Sequence, residues 1–126
     1  MQTALAIITK EGKVLIGKLK KEKVEEYGGI EHVFPSAQSE HDIKNKLIEE
    51  VKMQSDLDVI IVDKIGERTH PATNNLTEYY SCKPNSTQQL KVSPDADIEE
   101  FIWVEPQQIV DYMPSIFEKL KEYLQT

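Results

Sequence analysis

Apolar residues change their spacing twice along this chain, and the order of those changes limits the folds open to it. Residues 3–9 and 14–19 are apolar, β-compatible runs around the turn signal Glu11-Gly12, which predicts an N-terminal hairpin. A charged loop follows over 20–27, then a turn at Gly28-Gly29 and a short strand over 32–34 stopped by Pro35. The spacing then becomes helical. Ile43, Leu47, Ile48 and Val51 form one buried stripe, Ser39 and Asp42 fit a capping box, and a helix is expected over about 40–54. Strand-like spacing returns over 58–66 around Val59-Ile60-Ile61-Val62, over 76–83, more weakly over 88–92, and over 98–104. Pro106 opens a helix to about Met113, and Pro114 restarts one through Ile116, Phe117, Leu120, Tyr123 and Leu124. Hairpin, strand, helix, strands and terminal helices together predict an α+β fold, with helices packed on a mixed sheet.

A chain of 126 residues suits one domain with one core. No apolar run approaches the roughly 18 residues of a membrane span, and no signal-peptide pattern is seen at the start. Cys82 is the only cysteine, which excludes an internal disulfide and makes a cytoplasmic protein the expectation. The net charge is -7, and the lysines alternate with acids, as in Lys18-Leu19-Lys20-Lys21-Glu22-Lys23. That pattern is a solvated mixed surface, not a nucleic-acid footprint. Neither membrane nor nucleic acid is expected as a partner. Asn75-Leu76-Thr77 and Asn85-Ser86-Thr87 match the glycosylation acceptor pattern and read as loop residues without a secretory signal.

The chemistry-bearing residues are few. His32, His41 and His70 make no zinc pattern, and Cys82 has no cysteine partner. There is no P-loop, dinucleotide fingerprint or serine elbow. Trp103, between Ile102 and Val104, reads as core. Glu50, Met53 and Gln54 share one helix face, and only Glu50 is an acid. Three acids at those spacings would hold a hard cation such as Mg2+; one does not make such a face. Arg68 is the only arginine, so it alone offers a bidentate phosphate contact. Glu78, Tyr80 and Cys82 alternate with Thr77, Tyr79 and Ser81 across the faces of one strand, and a tyrosine there can stack on a base.

Ile48-Glu49-Glu50-Val51-Lys52-Met53-Gln54-Ser55-Asp56-Leu57, with Phe34-Pro35-Ser36-Ala37 before it, resembles a degraded Nudix box. The family pattern is a Gly, five residues, a Glu, seven residues, then Arg-Glu-U-x-Glu-Glu-x-Gly-U, with U aliphatic. The aliphatic positions are kept as Val51 and Leu57, and the first metal-binding Glu as Glu50. Glu49 stands for the Arg, Met53 and Gln54 for the paired acids, and Asp56 for the Gly; the glycines after Phe-Pro are Ser36 and Ala37. Glu49 comes twelve residues after Ala37, so the loop is two residues short. Residues 27–35 are similar to the strand leading into the box, and 97–104 to the family's late strand.

The resemblance implies a single Nudix-like domain over 1–126, an α/β/α sandwich with a mixed sheet. Its parent activity is Mg2+-dependent pyrophosphohydrolysis of nucleoside diphosphates linked to a further group. On that basis Glu50 and Glu49 are the candidate catalytic residues. Glu50 and Asp97, with Asp95 as alternative, are the candidate metal ligands, for a Mg2+ held weakly or not at all. Arg68 and Tyr80 are the candidate substrate contacts, with His70 beside Arg68 on an expected loop over 67–75. Three readings stay open: a diverged binder of a nucleotide-like small molecule with weak or lost hydrolysis, an active hydrolase with a rebuilt metal site, and a protein-interaction module. Dimers are common in folds of this type, so a homodimer is among the expectations.

Overall fold

The computed structural model describes residues 2–69, 75–85, 90–93, 96–113 and 118–125. Its strands are β1 (Gln2–Lys10), β2 (Lys13–Leu19), β3 (His32–Val33), β4 (Ser36–Ser39), β5 (Val59–Thr69), β6 (Leu76–Pro84) and β7 (Ile98–Val104), and its helices are α1 (Ile43–Ser55), α2 (Ile109–Tyr112) and α3 (Glu118–Gln125). β1 is central because it is apolar on both faces: Ala4, Ala6, Ile7 and Ile8 have no exposure. It runs parallel to β6 and antiparallel to β2 and β4. The path of the mixed sheet is β3-β2-β1-β6-β5, with β4 paired to β1 and β7 to β2.

Alternation along these strands divides the core in two. Ala4, Ala6, Ile8, Leu15, Tyr80 and Cys82 pack under α1 through Leu47 and Val51. Ile7, Val14, Ile16, Phe34 and Tyr79 pack on the other face with Ile109, Leu120 and Leu124 of α2 and α3. Helices therefore cover both faces. Trp103 is half-buried against the α1-side core.

The hairpin forms where expected, since Glu11 (φ 52°) and Gly12 (φ 80°) supply the two left-handed residues of a two-residue turn. β7 keeps its expected bounds. Its approach to β2 requires Gly17, where a Cβ would lie 2.8 Å from Ile98 Cδ1.

Four elements differ from expectation. The chain does not leave the sheet at Pro35: it resumes as β4, because the Pro35 carbonyl still accepts from the Ala6 N–H at 2.8 Å. α1 begins at Ile43 and not near residue 40, because Ser39 belongs to β4 and spends its hydroxyl on His41, whose N–H and carbonyl it bonds. The N-cap is instead Asp42, in left-handed geometry with no side-chain cap bond. β5 runs on to Thr69, through Gly66 and into the expected loop, because it pairs with β6 as far as Leu76. Finally, Leu90, Lys91 and Val92 form no strand; the Lys91 and Ser93 N–H groups bond the Ser55 and Gln54 carbonyls at the end of α1. Residues 88 and 89 of that expected strand, and 114–117 of the last expected helix, lie outside the described residues.

Candidate functional site: a cleft beside Arg68 and Tyr79

The long β5 determines where Arg68 points. Cross-strand pairing sets Arg68 against Thr77 and Gly66 against Tyr79, so all four share the face toward α2 and α3. That face carries a cleft of about 590 Å³, within the usual range of roughly 300–1,000 Å³ for small-molecule sites. Its walls are Leu5, Phe34, Arg68, Tyr79, Met113 and Leu120. Residues 28–33 form one lip, and Asp111 stands on another side. Gly28 (φ 72°) and Gly29 (φ 87°) let the chain turn into that lip in a conformation an L side chain resists. The His32 ring, also lining, packs edge-on against Tyr112 with centroids 5.0 Å apart.

Phe34 and Tyr79 are buried, whereas Glu31, Arg68 and Asp111 are exposed, so the cleft is aromatic at its base and charged toward solvent. Burial pushes the Tyr79 hydroxyl up, and the Arg68 guanidinium hydrogen-bonded beside it opposes the shift. Arg68 is thus a cation already engaged with a wall of the cleft.

Tyr80, the other expected substrate contact, faces α1 on the opposite side of the sheet. Its hydroxyl donates to Glu78, and Lys44 Nζ lies 5.6 Å from its ring centroid. Glu78 was the residue to look for on that face. It is a buried carboxylate, 6% exposed, 3.1 Å from Lys64 Nζ, and Lys64 also bonds Glu67. Burial raises the Glu78 carboxyl, but bonds from Tyr80 and Lys64 outweigh it and hold the group below its usual range. Burial and the bond to Glu78 push the Tyr80 hydroxyl up to about 12. This network belongs to the floor between β5 and β6, not to the cleft. Tyr79 and Tyr80 differ in strand parity, and it takes the register of β5 against β6 to set Tyr79 beside Arg68.

The candidate metal residues are held separately. Glu50 Oε1 lies 3.2 Å from Lys46 Nζ, Glu49 is exposed, and Met53 is 66% exposed. Asp97 accepts from the Tyr27 hydroxyl at 2.9 Å and lies 3.8 Å from Lys23 Nζ, beside the loop after β2. Among the described residues, no three His, Cys, Asp or Glu side chains come together as a metal group. A hard divalent cation needs several oxygen ligands, and the expected metal face of α1 offers one carboxylate, Glu50, already facing an ammonium, so these residues do not fit Mg2+. Asp95 and His70 lie outside the described residues.

Cys82 is buried, and burial pushes its thiol up to about 12, which leaves it a poor nucleophile. Among the described residues no helix is long and apolar enough to cross a membrane.

No family model and no curated protein matches the sequence. Solved structures do match. A NUDIX hydrolase from Nitrosomonas europaea superposes with a TM-score of 0.77 at 16% identity, over 98% of this chain and 69% of that one. A MutT protein from Methanosarcina mazei Go1 gives 0.73 at 16%, over 99% and 92%. A C. elegans Ap4A hydrolase, solved as a binary complex, gives 0.72 at 14%, over 98% and 92%. At these identities the likeness is one of architecture, and the architecture is the Nudix fold, α+β with a mixed sheet and three helices.

Proposed function

We propose that this chain binds a nucleotide-type small molecule in the cleft beside Arg68 and Tyr79, and that its pyrophosphohydrolase activity is weak or lost. The observation that carries the reading is the contrast between two sites. The cleft has a ligand-sized volume with an aromatic base and one guanidinium. The box helix α1 has a single carboxylate, Glu50, on its expected metal face, and that carboxylate pairs with Lys46. Structural likeness to a MutT protein and an Ap4A hydrolase supports the nucleotide class of the ligand.

Without a metal to activate water and offset phosphate charge, the remaining chemistry is recognition. Phe34 and Tyr79 offer apolar and aromatic surface to a flat heterocycle. Arg68 donates to an oxygen acceptor, and Glu31 and Asp111 accept from N–H groups.

The test is a thermal-shift and turnover screen of the purified chain against nucleosides, nucleotides and nucleoside diphosphate derivatives, with and without Mg2+ or Mn2+. The expected result is stabilisation without turnover; a ligand at 100 times its Kd adds about 2.7 kcal/mol. Metal-dependent turnover abolished by both Glu50→Gln and Asp97→Asn would overturn the reading in favour of a rebuilt metal site. No response to any ligand, together with a stable dimer or a captured partner, would favour an interaction module.

A further inference from the structure

We infer that the cleft selects the unphosphorylated end of such a ligand, a nucleoside or free base that is neutral or cationic, over its phosphorylated forms. The inference rests on the nucleotide-type reading above and sharpens it. Arg68 is the one cation lining the cleft among the described residues, and it is hydrogen-bonded to Tyr79. Two carboxylates, Glu31 and Asp111, line it as well. Arg68, Glu31 and Asp111 together sum to one negative unit, inside a chain of net charge -7.

Position matters as much as count. Leu5, Phe34, Tyr79 and Leu120 form the apolar part of the cleft, and Phe34 and Tyr79 are each 4% exposed. Glu31 and Asp111 are exposed, as are Arg68 and residues 28–30 of the lining. A heterocycle seated against the aromatics directs its substituents toward that rim, where two carboxylates stand against one guanidinium that Tyr79 already engages. Ring N–H and amino groups there meet carboxylate acceptors. A diphosphate there carries about three negative charges past two carboxylates and one guanidinium, and at low salt the repulsion between like charges is little screened. Sites that favour phosphate chains do the reverse, clustering Lys, Arg or backbone N–H groups.

The experiment is isothermal titration of the full chain, without added metal, using guanosine, adenosine and cytidine and the 5′-diphosphate of each. At low ionic strength at least one nucleoside should bind roughly three- to tenfold tighter than its diphosphate, and the gap should shrink at about 0.5 M salt as the charges are screened. The double variant Glu31→Gln/Asp111→Asn, at two exposed positions where folding is not at risk, should close the gap by strengthening diphosphate binding. Tighter binding of every diphosphate than of its nucleoside would overturn the inference and leave the nucleotide-type reading standing. A gap unchanged in the double variant would also overturn it. If neither nucleosides nor diphosphates bind, both readings fall.

Discussion

Replacing Lys64 tests how β5 and β6 are held together on the α1 side of the sheet. Lys64 Nζ lies 3.1 Å from a Glu78 carboxylate that is 6% exposed, and the only other side-chain bond described at Glu78 comes from Tyr80. Lys64→Met removes the charged donor and leaves the carboxylate buried. A bond to a charged group contributes about 1.5–3 kcal/mol. The Lys64 side chain is 39% exposed, so water replaces part of the loss and the expected cost is about 1–2 kcal/mol. Glu78→Gln should cost about 1 kcal/mol, since an amide can still accept from Tyr80. The double variant should cost about 1 kcal/mol less than the two singles together, because the second change no longer strands a charge. Urea titration reads these values directly; as melting shifts they are about 3–6 °C per kcal/mol. The pH dependence is a second readout. The Glu78 carboxyl is held below its usual range, so its contribution is complete above the unfolded value near about 4.3 and is lost as pH falls through the lower folded value. Glu78→Gln should flatten that acid limb. A coupling below about 0.3 kcal/mol, or an acid limb unchanged by Glu78→Gln, would refute the reasoning.

Three further outcomes are expected. Gly17→Ala should cost about 1–3 kcal/mol in urea unfolding, because its Cβ would meet Ile98 at 2.8 Å and Phe101 at 3.2 Å in a packed core. Glu50→Gln should change stability by less than about 0.5 kcal/mol, since its described partner is the adjacent-turn Lys46 in a partly exposed i,i+4 pair. Cys82 should label with a thiol reagent at least about 100-fold faster in denaturant than in the native chain, because burial suppresses both access and thiolate.

Much of the fold was legible because hydrophobic spacing reports which side of an element is buried. The hairpin, the α1 stripe and β7 all carry that signal. Leu47 and Val51 lie at zero exposure, where a helical reading puts them. What was illegible depended on partners remote in sequence. Residues 67–69 are polar and look like a loop; they are strand because β6 offers a ladder to pair with. Ser39 looks like a helix cap, but β4 takes it because β1 has an open edge there. Arg68 could be singled out as the lone arginine, but its neighbour in the cleft could not, because choosing between Tyr79 and Tyr80 needs the register of β5 against β6. Likewise Glu50 was visible as a surviving acid, while its pairing with Lys46 in place of other acids depends on how side chains settle on the folded helix.

That register has a counting consequence. β5 slips against β6 twice, between Ile61 and Asp63 and between Lys64 and Gly66. Each slip inserts one residue and turns the following side chains over. Two slips cancel, so Arg68 ends on the side it would occupy in a regular strand, while Lys64, between them, is inverted toward Glu78. The arginine's place in the cleft therefore depends on an even number of irregularities, and the buried ion pair on the single one before Lys64. Deleting one residue between the slips and the end of β5 would present Glu67 to the cleft and Arg68 to α1, whereas deleting two would restore the arginine. Insertions and deletions in this strand should accordingly be tolerated in pairs, and the arginine's side of the sheet behaves as a parity bit carried by the length of β5.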